Sequence, residues 1–183
     1  ATNLFFTNNT IAAVDEKPNG TFPQDYKIIA PKIPDKISIF GEGVPIENFE
    51  VYERVEREVL VNTYWHSATI LAIKRAARWF PVIEPILKQN NIPDDFKYLA
   101  VVESNLENVV SPAGATGYWQ FIKSAANQYG LEVSDEVDER YDMEKSAQAA
   151  WDYLNEGYTK FRKWTMAAAS YNAGVNGIEK WSG

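Results

Sequence analysis

Glu103 is the residue with the clearest potential for chemistry, because it directly follows the apolar run 100–102 (Ala-Val-Val). A carboxyl group at the apolar end of a buried helix loses hydration in its charged form, so its pKa should rise. A glutamic acid that keeps its proton near neutral pH is suited to general acid catalysis. The alternative is that Glu103 points into solvent at the helix end, and periodicity alone does not decide between the two.

Composition removes most other chemistries. The 183 residues include no cysteine, which excludes thiol nucleophiles, disulfides, iron–sulfur clusters and zinc sites of the cysteine type. The single histidine, His66, excludes metal sites built from several histidines, so we expect catalysis by carboxylates, without metal or cofactor. Eighteen basic against 25 acidic residues give a net charge of -7, which argues against nucleic acid as a partner.

Several other acidic residues could imitate a second catalytic carboxylate. Glu107 lies one helical turn beyond Glu103, and three more acids cluster in an acidic, irregular stretch: Asp138, Glu139 and Asp142. We expect structural roles for all four, namely loop capping, pairing with Arg140 or solvation. His66 is expected to be a partly buried surface residue and not a ligand.

The elements that must position Glu103 are helices. Apolar residues recur at three- and four-residue spacings from Phe49 onward, which predicts an all-α domain of about seven helices. The predicted segments include one from Phe49, one ending near Pro81, and others at 82–89, 96–106, 118–129, 145–160 and 164–172.

Residues 1–48 differ from the rest of the chain. Asparagine, glycine and proline punctuate this segment and leave no window for a helix. Its short apolar runs, 26–30 and 37–40, are expected to be strands or extended chain. The sequence therefore predicts an extended irregular N-terminal arm over 1–48 lying on a helical domain over 49–183.

Three short motifs raise the importance of Glu103. Glu103–Asn105 (ESN) is followed by Gly117–Gln120 (GYWQ) and, far downstream, by Ser170–Gly174 (SYNAG). In this order and spacing they resemble the signature motifs of lytic transglycosylases with a goose-type lysozyme-like (SLT) domain. The stretches 98–121 and 138–142, with Ile92-Pro93, look most similar to the membrane-bound lytic transglycosylase D branch. The resemblance covers roughly residues 50–180.

The resemblance implies a lysozyme-like helical fold and assigns roles residue by residue. Glu103 would be the sole catalytic acid and base, with Ser104 beside it as a polar partner. The remaining implied residues would line the sugar-binding cleft: Tyr118, Trp119 (through its backbone), Gln120, Tyr171 and Asn172. Tyr171 would lie close enough to hydrogen-bond or orient the Glu103 carboxyl.

Three features depart from the family pattern. Tyr118 replaces an aliphatic residue in the second motif, and Ser170 replaces the usual alanine or histidine in the third. A tyrosine motif that family members carry farther downstream is absent before Gly183, as are the C-terminal LysM repeats common in the branch. We expect either that the domain is truncated at its C-terminus or that the distal part of the cleft is missing.

The resemblance implies cleavage of the β-1,4 bond between N-acetylmuramic acid and N-acetylglucosamine in peptidoglycan, with formation of a 1,6-anhydro sugar. The alternatives are a muramidase on the same fold and a catalytically silent peptidoglycan-binding module. We expect glycan strands to be the partner and the protein to be a monomer. Because this substrate lies outside the inner membrane, we expect export to the periplasm or cell envelope.

Overall fold

The computed structural model describes residues 29–174 and 177–178. Contacts divide the chain into two units, residues 1–30 and residues 31–183, and all the elements below belong to the second. The elements, in chain order, are strands β1 (Ser38–Ile39) and β2 (Glu42–Gly43), helices α1 (Phe49–Tyr64), α2 (His66–Gln89), α3 (Leu99–Ser104), α4 (Lys123–Gln128), α5 (Met143–Phe161) and α6 (Trp164–Ala173), and 3₁₀ turns at Asp94–Tyr98 and Glu139–Tyr141. The all-α prediction is confirmed, with one two-stranded antiparallel hairpin in the part described.

The core contains two large buried tryptophans and lies between the second half of α2, α5 and the segment around residue 119. Trp119 and Trp151 are fully buried and meet edge to face, with ring centroids 4.8 Å apart. Ile83 and Leu87 of α2 pack into the same cluster. By contrast, no residue of α1 is buried. The packing that can position a site is therefore concentrated in the later two thirds of the chain.

The prediction that one helix ends near Pro81 and another begins at residue 82 is wrong, because α2 is a single helix through this region. The helix continues through both Pro81 and Pro85. Each proline removes one backbone hydrogen bond, but both prolines are exposed, so water can satisfy the carbonyl groups left without a donor. The opposite face carries Ile83 and Leu87, and its burial favours continuation of the helix.

The prediction of a helix over 118–129 is wrong in its first half. Residues 117–120 form a turn, and helix α4 covers only Lys123–Gln128. Gly117 and Gln120 both take positive φ angles, 83° and 52°, which a right-handed helix does not allow. The segment predicted as helix 96–106 is likewise a 3₁₀ turn followed by the short helix α3.

Helices α5 and α6 match their predicted spans closely. The Asp142 side chain caps α5 by accepting the backbone N–H of Lys145 at 2.9 Å, and α6 ends at Gly174. Within the predicted arm, residues 29–48 contain no helix, and the apolar run 37–40 contributes β1. Most of the other run, 26–30, and residues 1–25 lie outside the described residues, so the division at residue 48 remains a prediction.

Among the residues that the structure describes, no helix combines the length and apolar character needed to cross a bilayer.

Candidate active site

Glu103 lies in the last turn of α3. The helix ends one residue later, at Ser104, because Asn105 and Leu106 both take left-handed conformations, with φ angles of 54° and 55°. The Glu103 side chain is half-buried, and its Oε1 atom is buried without a hydrogen-bond partner. Burial raises the pKa of this carboxyl above its ordinary value. Of the two alternatives for Glu103, the structure therefore shows the desolvated one.

Glu103 lines a cavity of about 480 Å³. Three more residues from the sequence motifs line it: Gln120, Tyr171 and Asn172. Six lining residues were not among the predicted site residues: Ser111, Ala113, Ala115, Phe121, Ile122 and Tyr153. Glu103 is the only carboxylate among the described residues that line this cavity.

One wall of the cavity is the loop 111–121. Its backbone folds back on itself, so that Thr116 forms bridges with both Val110 and Phe121. The Ser111 hydroxyl accepts the backbone N–H of Ala115 at 3.0 Å. The loop is thus internally hydrogen-bonded, which gives the wall a defined shape. The family-like stretch 98–121 includes this segment, although nothing in the sequence separated lining from supporting residues.

Gln120 contributes to the wall with both its backbone and its side chain. Its amide nitrogen donates to the carbonyl oxygens of Gly117, at 2.8 Å, and Val109, at 3.1 Å. Both amide hydrogens are therefore used to hold the loop. The side-chain oxygen has no hydrogen-bond partner among the described residues and remains available as an acceptor beside the cavity.

Arg140 supports the same loop from behind. Its Nη1 donates to the carbonyl oxygens of Gly114, at 3.2 Å, and Phe121, at 3.1 Å, near the two ends of the turn. Asp138 holds the guanidinium in place by accepting from Nε at 2.9 Å and from Nη2 at 2.7 Å. This pairing holds the pKa of the Asp138 carboxyl below its ordinary value. A two-pronged arrangement of this kind orients Arg140 in a way that a lysine could not reproduce.

Tyr171 forms the opposite wall, in the last turn of α6. Its hydroxyl donates to the backbone carbonyl of Trp119 at 2.8 Å, so no hydrogen bond to Glu103 forms in this structure. Burial, with a smaller contribution from the charge of Glu103, raises the pKa of the phenol well above its usual range. Tyr171 is therefore close enough to Glu103 to interact with it electrostatically, while its hydroxyl donates its hydrogen bond to the Trp119 carbonyl.

Comparison with known proteins identifies the family. The family described as "Transglycosylase SLT domain" matches residues 80–183, which is more than half of the chain. The chain belongs to the SLT transglycosylase family. It is also 30% identical over 140 residues to two proteins named "Membrane-bound lytic murein transglycosylase D", from Escherichia coli strain K12 and from Escherichia coli O6:H1. The match covers 75% of this chain and 30% of each relative, so the chain spans less than a third of their length.

Three of the predicted site residues support the SLT cleft and do not line it. Ser104 is buried, and its hydroxyl lies 2.7 Å from the Tyr118 carbonyl oxygen and 3.0 Å from that of Ala100. Tyr118 packs edge to face on Trp79, with ring centroids 5.0 Å apart. Trp119 is fully buried, and it is its backbone carbonyl that meets Tyr171. Ser104 therefore joins α3 to the turn 117–120, which fixes Glu103 relative to the loop.

The four acidic residues that could imitate a second catalytic carboxylate have structural partners. Glu107 pairs with Arg75 at 2.6 Å, and Arg75 also donates to the carbonyl oxygen of Asn105 at 3.3 Å. Glu139 pairs with Lys145. Together with the Asp138 and Asp142 contacts above, these bonds agree with the structural roles expected from the sequence. His66 is exposed, so the expectation of partial burial is wrong; its ring lies beside that of Tyr64, with centroids 6.1 Å apart. No potential metal-binding cluster occurs in the described part of the chain.

Proposed function

We propose that this SLT domain is a peptidoglycan lytic transglycosylase in which Glu103 acts first as acid and then as base. The observation that carries the proposal is the half-buried Glu103, which has one buried carboxyl oxygen without a hydrogen-bond partner and lines a cavity that holds no other carboxylate among its described lining residues. The names of the E. coli relatives, lytic murein transglycosylases, support the choice of substrate.

In the first step, protonated Glu103 donates its proton to the glycosidic oxygen between N-acetylmuramic acid and N-acetylglucosamine. The bond from this oxygen to the anomeric carbon breaks as an oxocarbenium-like centre develops. The raised pKa of Glu103 favours the protonated form that this step needs.

In the second step, the ionised Glu103 takes the proton of the muramyl 6-hydroxyl while that oxygen bonds to the anomeric carbon. The product is a 1,6-anhydro sugar, and Glu103 recovers its proton without consuming water. One carboxyl suffices because the nucleophile is part of the substrate. Glycosidases that activate water or form a covalent intermediate generally need a second carboxylate.

In this proposal both walls of the cavity contact the sugar substrate. The free side-chain oxygen of Gln120 can accept the N–H of an N-acetyl group, and Asn172 offers a second amide on the opposite wall. The Tyr153 and Tyr171 rings meet edge to face at 5.1 Å and supply an apolar surface for a sugar ring. Because this substrate lies outside the inner membrane, we propose the periplasm or cell envelope as the location, and an export signal in the full-length precursor would test it.

The test is digestion of purified sacculi, with mass analysis of the soluble products. Wild-type protein should release muropeptides that end in the anhydro sugar, one water lighter than the hydrolysis product, and Glu103→Gln should release almost none. Glu107→Gln is the matched control, since it makes the same change four residues away at a carboxylate that pairs with Arg75 and does not line the cavity. Products with a reducing end would establish a muramidase instead, and binding without release would establish a binding module.

A further inference from the structure

The β1–β2 hairpin lies outside residues 80–183, the part of the chain that matches the SLT family. Its two strands have two residues each, and the turn between them, Phe40-Gly41, has positive φ angles of 58° and 78°. A hairpin this short has little stability of its own. Its conformation therefore depends on what it contacts, namely the turn before α3 and the start of α6.

The first contact reaches the segment that carries Glu103. The Phe40 N–H donates to the Asp95 carboxylate at 2.7 Å, and the Phe40 ring stacks on the fully buried Phe96 with centroids 4.0 Å apart. Asp95 and Phe96 belong to the 3₁₀ turn that runs directly into α3, whose last turn carries Glu103.

The second contact reaches the helix that carries Tyr171 and Asn172. The Glu42 carboxylate accepts the backbone N–H of Trp164 at 2.6 Å and the hydroxyl of Thr165 at 2.5 Å, in the first turn of α6. Lys163, which directly precedes α6, makes no side-chain cap of its own. The capping acceptor of α6 is thus supplied from 122 residues away in the sequence.

Aromatic packing links the turn before α3 directly to the start of α6. The Trp164 ring lies edge-on to Phe96, with centroids 5.5 Å apart, and stacks on Tyr158 at 4.0 Å. Phe96 is therefore shared: the hairpin covers it on one side, and the start of α6 packs against it on another. Displacing the hairpin would free the start of α6 and the turn before α3 together.

We propose that Glu42 is a positioning residue for the reaction, because it holds α6, and with it Tyr171 and Asn172, in register with Glu103. This inference rests on the proposed function. The hairpin acts on the wall formed by α6, whereas the wall formed by loop 111–121 is held independently by Arg140. Loss of the Glu42 contacts should therefore disturb the alignment of α6 with Glu103 more than it disturbs substrate binding to loop 111–121.

The experiment measures kcat and KM on soluble, uncrosslinked glycan strands, at a temperature where circular dichroism shows every variant folded. Glu42→Ala should lower kcat by about tenfold to a hundredfold, as misplacement of reacting groups by about 1 Å can do. The KM should rise as well, because Tyr171 and Asn172 line the cavity, but by a smaller factor than kcat falls, because the loop wall is retained. Glu42→Gln keeps an acceptor for the Trp164 N–H and should recover most of the lost kcat.

Asn48→Ala is the matched control, because Asn48 follows the hairpin and caps α1, which carries no residue of the cavity. It should leave kcat and KM unchanged. Equal kcat values for Glu42→Ala and Asn48→Ala would overturn the inference, as would a Glu42→Gln variant as slow as Glu42→Ala. If Glu42→Ala does not fold, Thr165→Val, which removes one of the two bonds, must lower kcat instead. An inactive wild type would refute the proposed function, whereas an active wild type with these failures would refute only the role of Glu42.

Discussion

Replacing Gly117 with alanine should destabilise the domain and disrupt the wall of the cavity. A Cβ atom at this position would lie 1.9 Å from the carbonyl oxygen of Arg140 and 2.8 Å from its carbonyl carbon. Both are backbone atoms, so rotation of a flexible side chain cannot relieve the clash. Arg140 also holds the loop through its guanidinium, so any shift of its backbone is transmitted to the wall.

The expected magnitude has two parts. Gly117 has a φ of +83°, and the left-handed conformation costs an alanine about 1–2 kcal/mol. Overpacking typically costs a further ~1–3 kcal/mol. The free energy of unfolding should thus fall by roughly 2–5 kcal/mol, which for a chain of this size lowers Tm by about 4–20 °C.

Two other glycines allow the conformational cost to be measured separately from the overpacking cost. Gly114 in the same loop and Gly130 beyond α4 have φ angles of +81° and +84°, but a Cβ at either meets no atom within 4 Å. Gly114→Ala and Gly130→Ala should therefore lose only about 1–2 kcal/mol. Thermal melts of the three variants, with release of muropeptides from sacculi, check the reasoning. If Gly117→Ala melts no lower than Gly114→Ala, the close approach to Arg140 is not what requires glycine here.

Three further substitutions test the site itself. Glu103→Gln should lower turnover by about 10²–10⁴-fold and leave Tm unchanged or raise it, since the buried carboxyl opposes folding when it is ionised. Burial raises the folded-state pKa of Glu103. The free-energy penalty of burying the ionised carboxyl is therefore absent below the unfolded-state pKa and is complete once the pH has risen through the folded-state pKa. The gain in Tm from Glu103→Gln should thus be larger at about pH 8 than at about pH 4, and a gain that grows towards acid would contradict the burial argument. Tyr171→Phe leaves the Trp119 carbonyl without its hydrogen-bond donor, so it should lower the free energy of unfolding by about 1–3 kcal/mol. It should lower turnover less than Glu103→Gln does, and thermal melts with rate measurements check both effects. Glu107→Gln removes a partly exposed ion pair with Arg75 and should change stability by less than about 1 kcal/mol with turnover near that of wild type; an inactive Glu107→Gln protein would mean that the acid has been misassigned.

The sequence by itself determined the helical class of the fold and the place of Glu103 in it. Periodic apolar residues predict α5 and α6 nearly to their ends, because the pattern that defines a helix is local. The motifs also named Gln120, Tyr171 and Asn172, all of which line the cavity with Glu103. These residues could be found because each lies in a short segment with a recognisable composition.

Local signals failed where distant groups compete with them. Pro81 predicts a helix end, yet α2 continues, because burial of Ile83 and Leu87 on the other face favours continuation. Residues 118–122 look helical in sequence, but the turn at 117–120 is held by Arg140 and by close contact with its backbone. Neither outcome is encoded within the window of residues that a periodicity argument reads.

Only the tertiary structure decided which residues face the cavity and which support them. Ser104 and Trp119 belong to the signature motifs but are buried behind the wall, whereas Tyr153, outside the motifs, lines it. Glu42 caps a helix that lies 122 residues away in sequence, a contact that no local pattern announces. The physical reason is that desolvation and hydrogen-bond satisfaction depend on every element packed around a group, so they are settled only when the chain has folded.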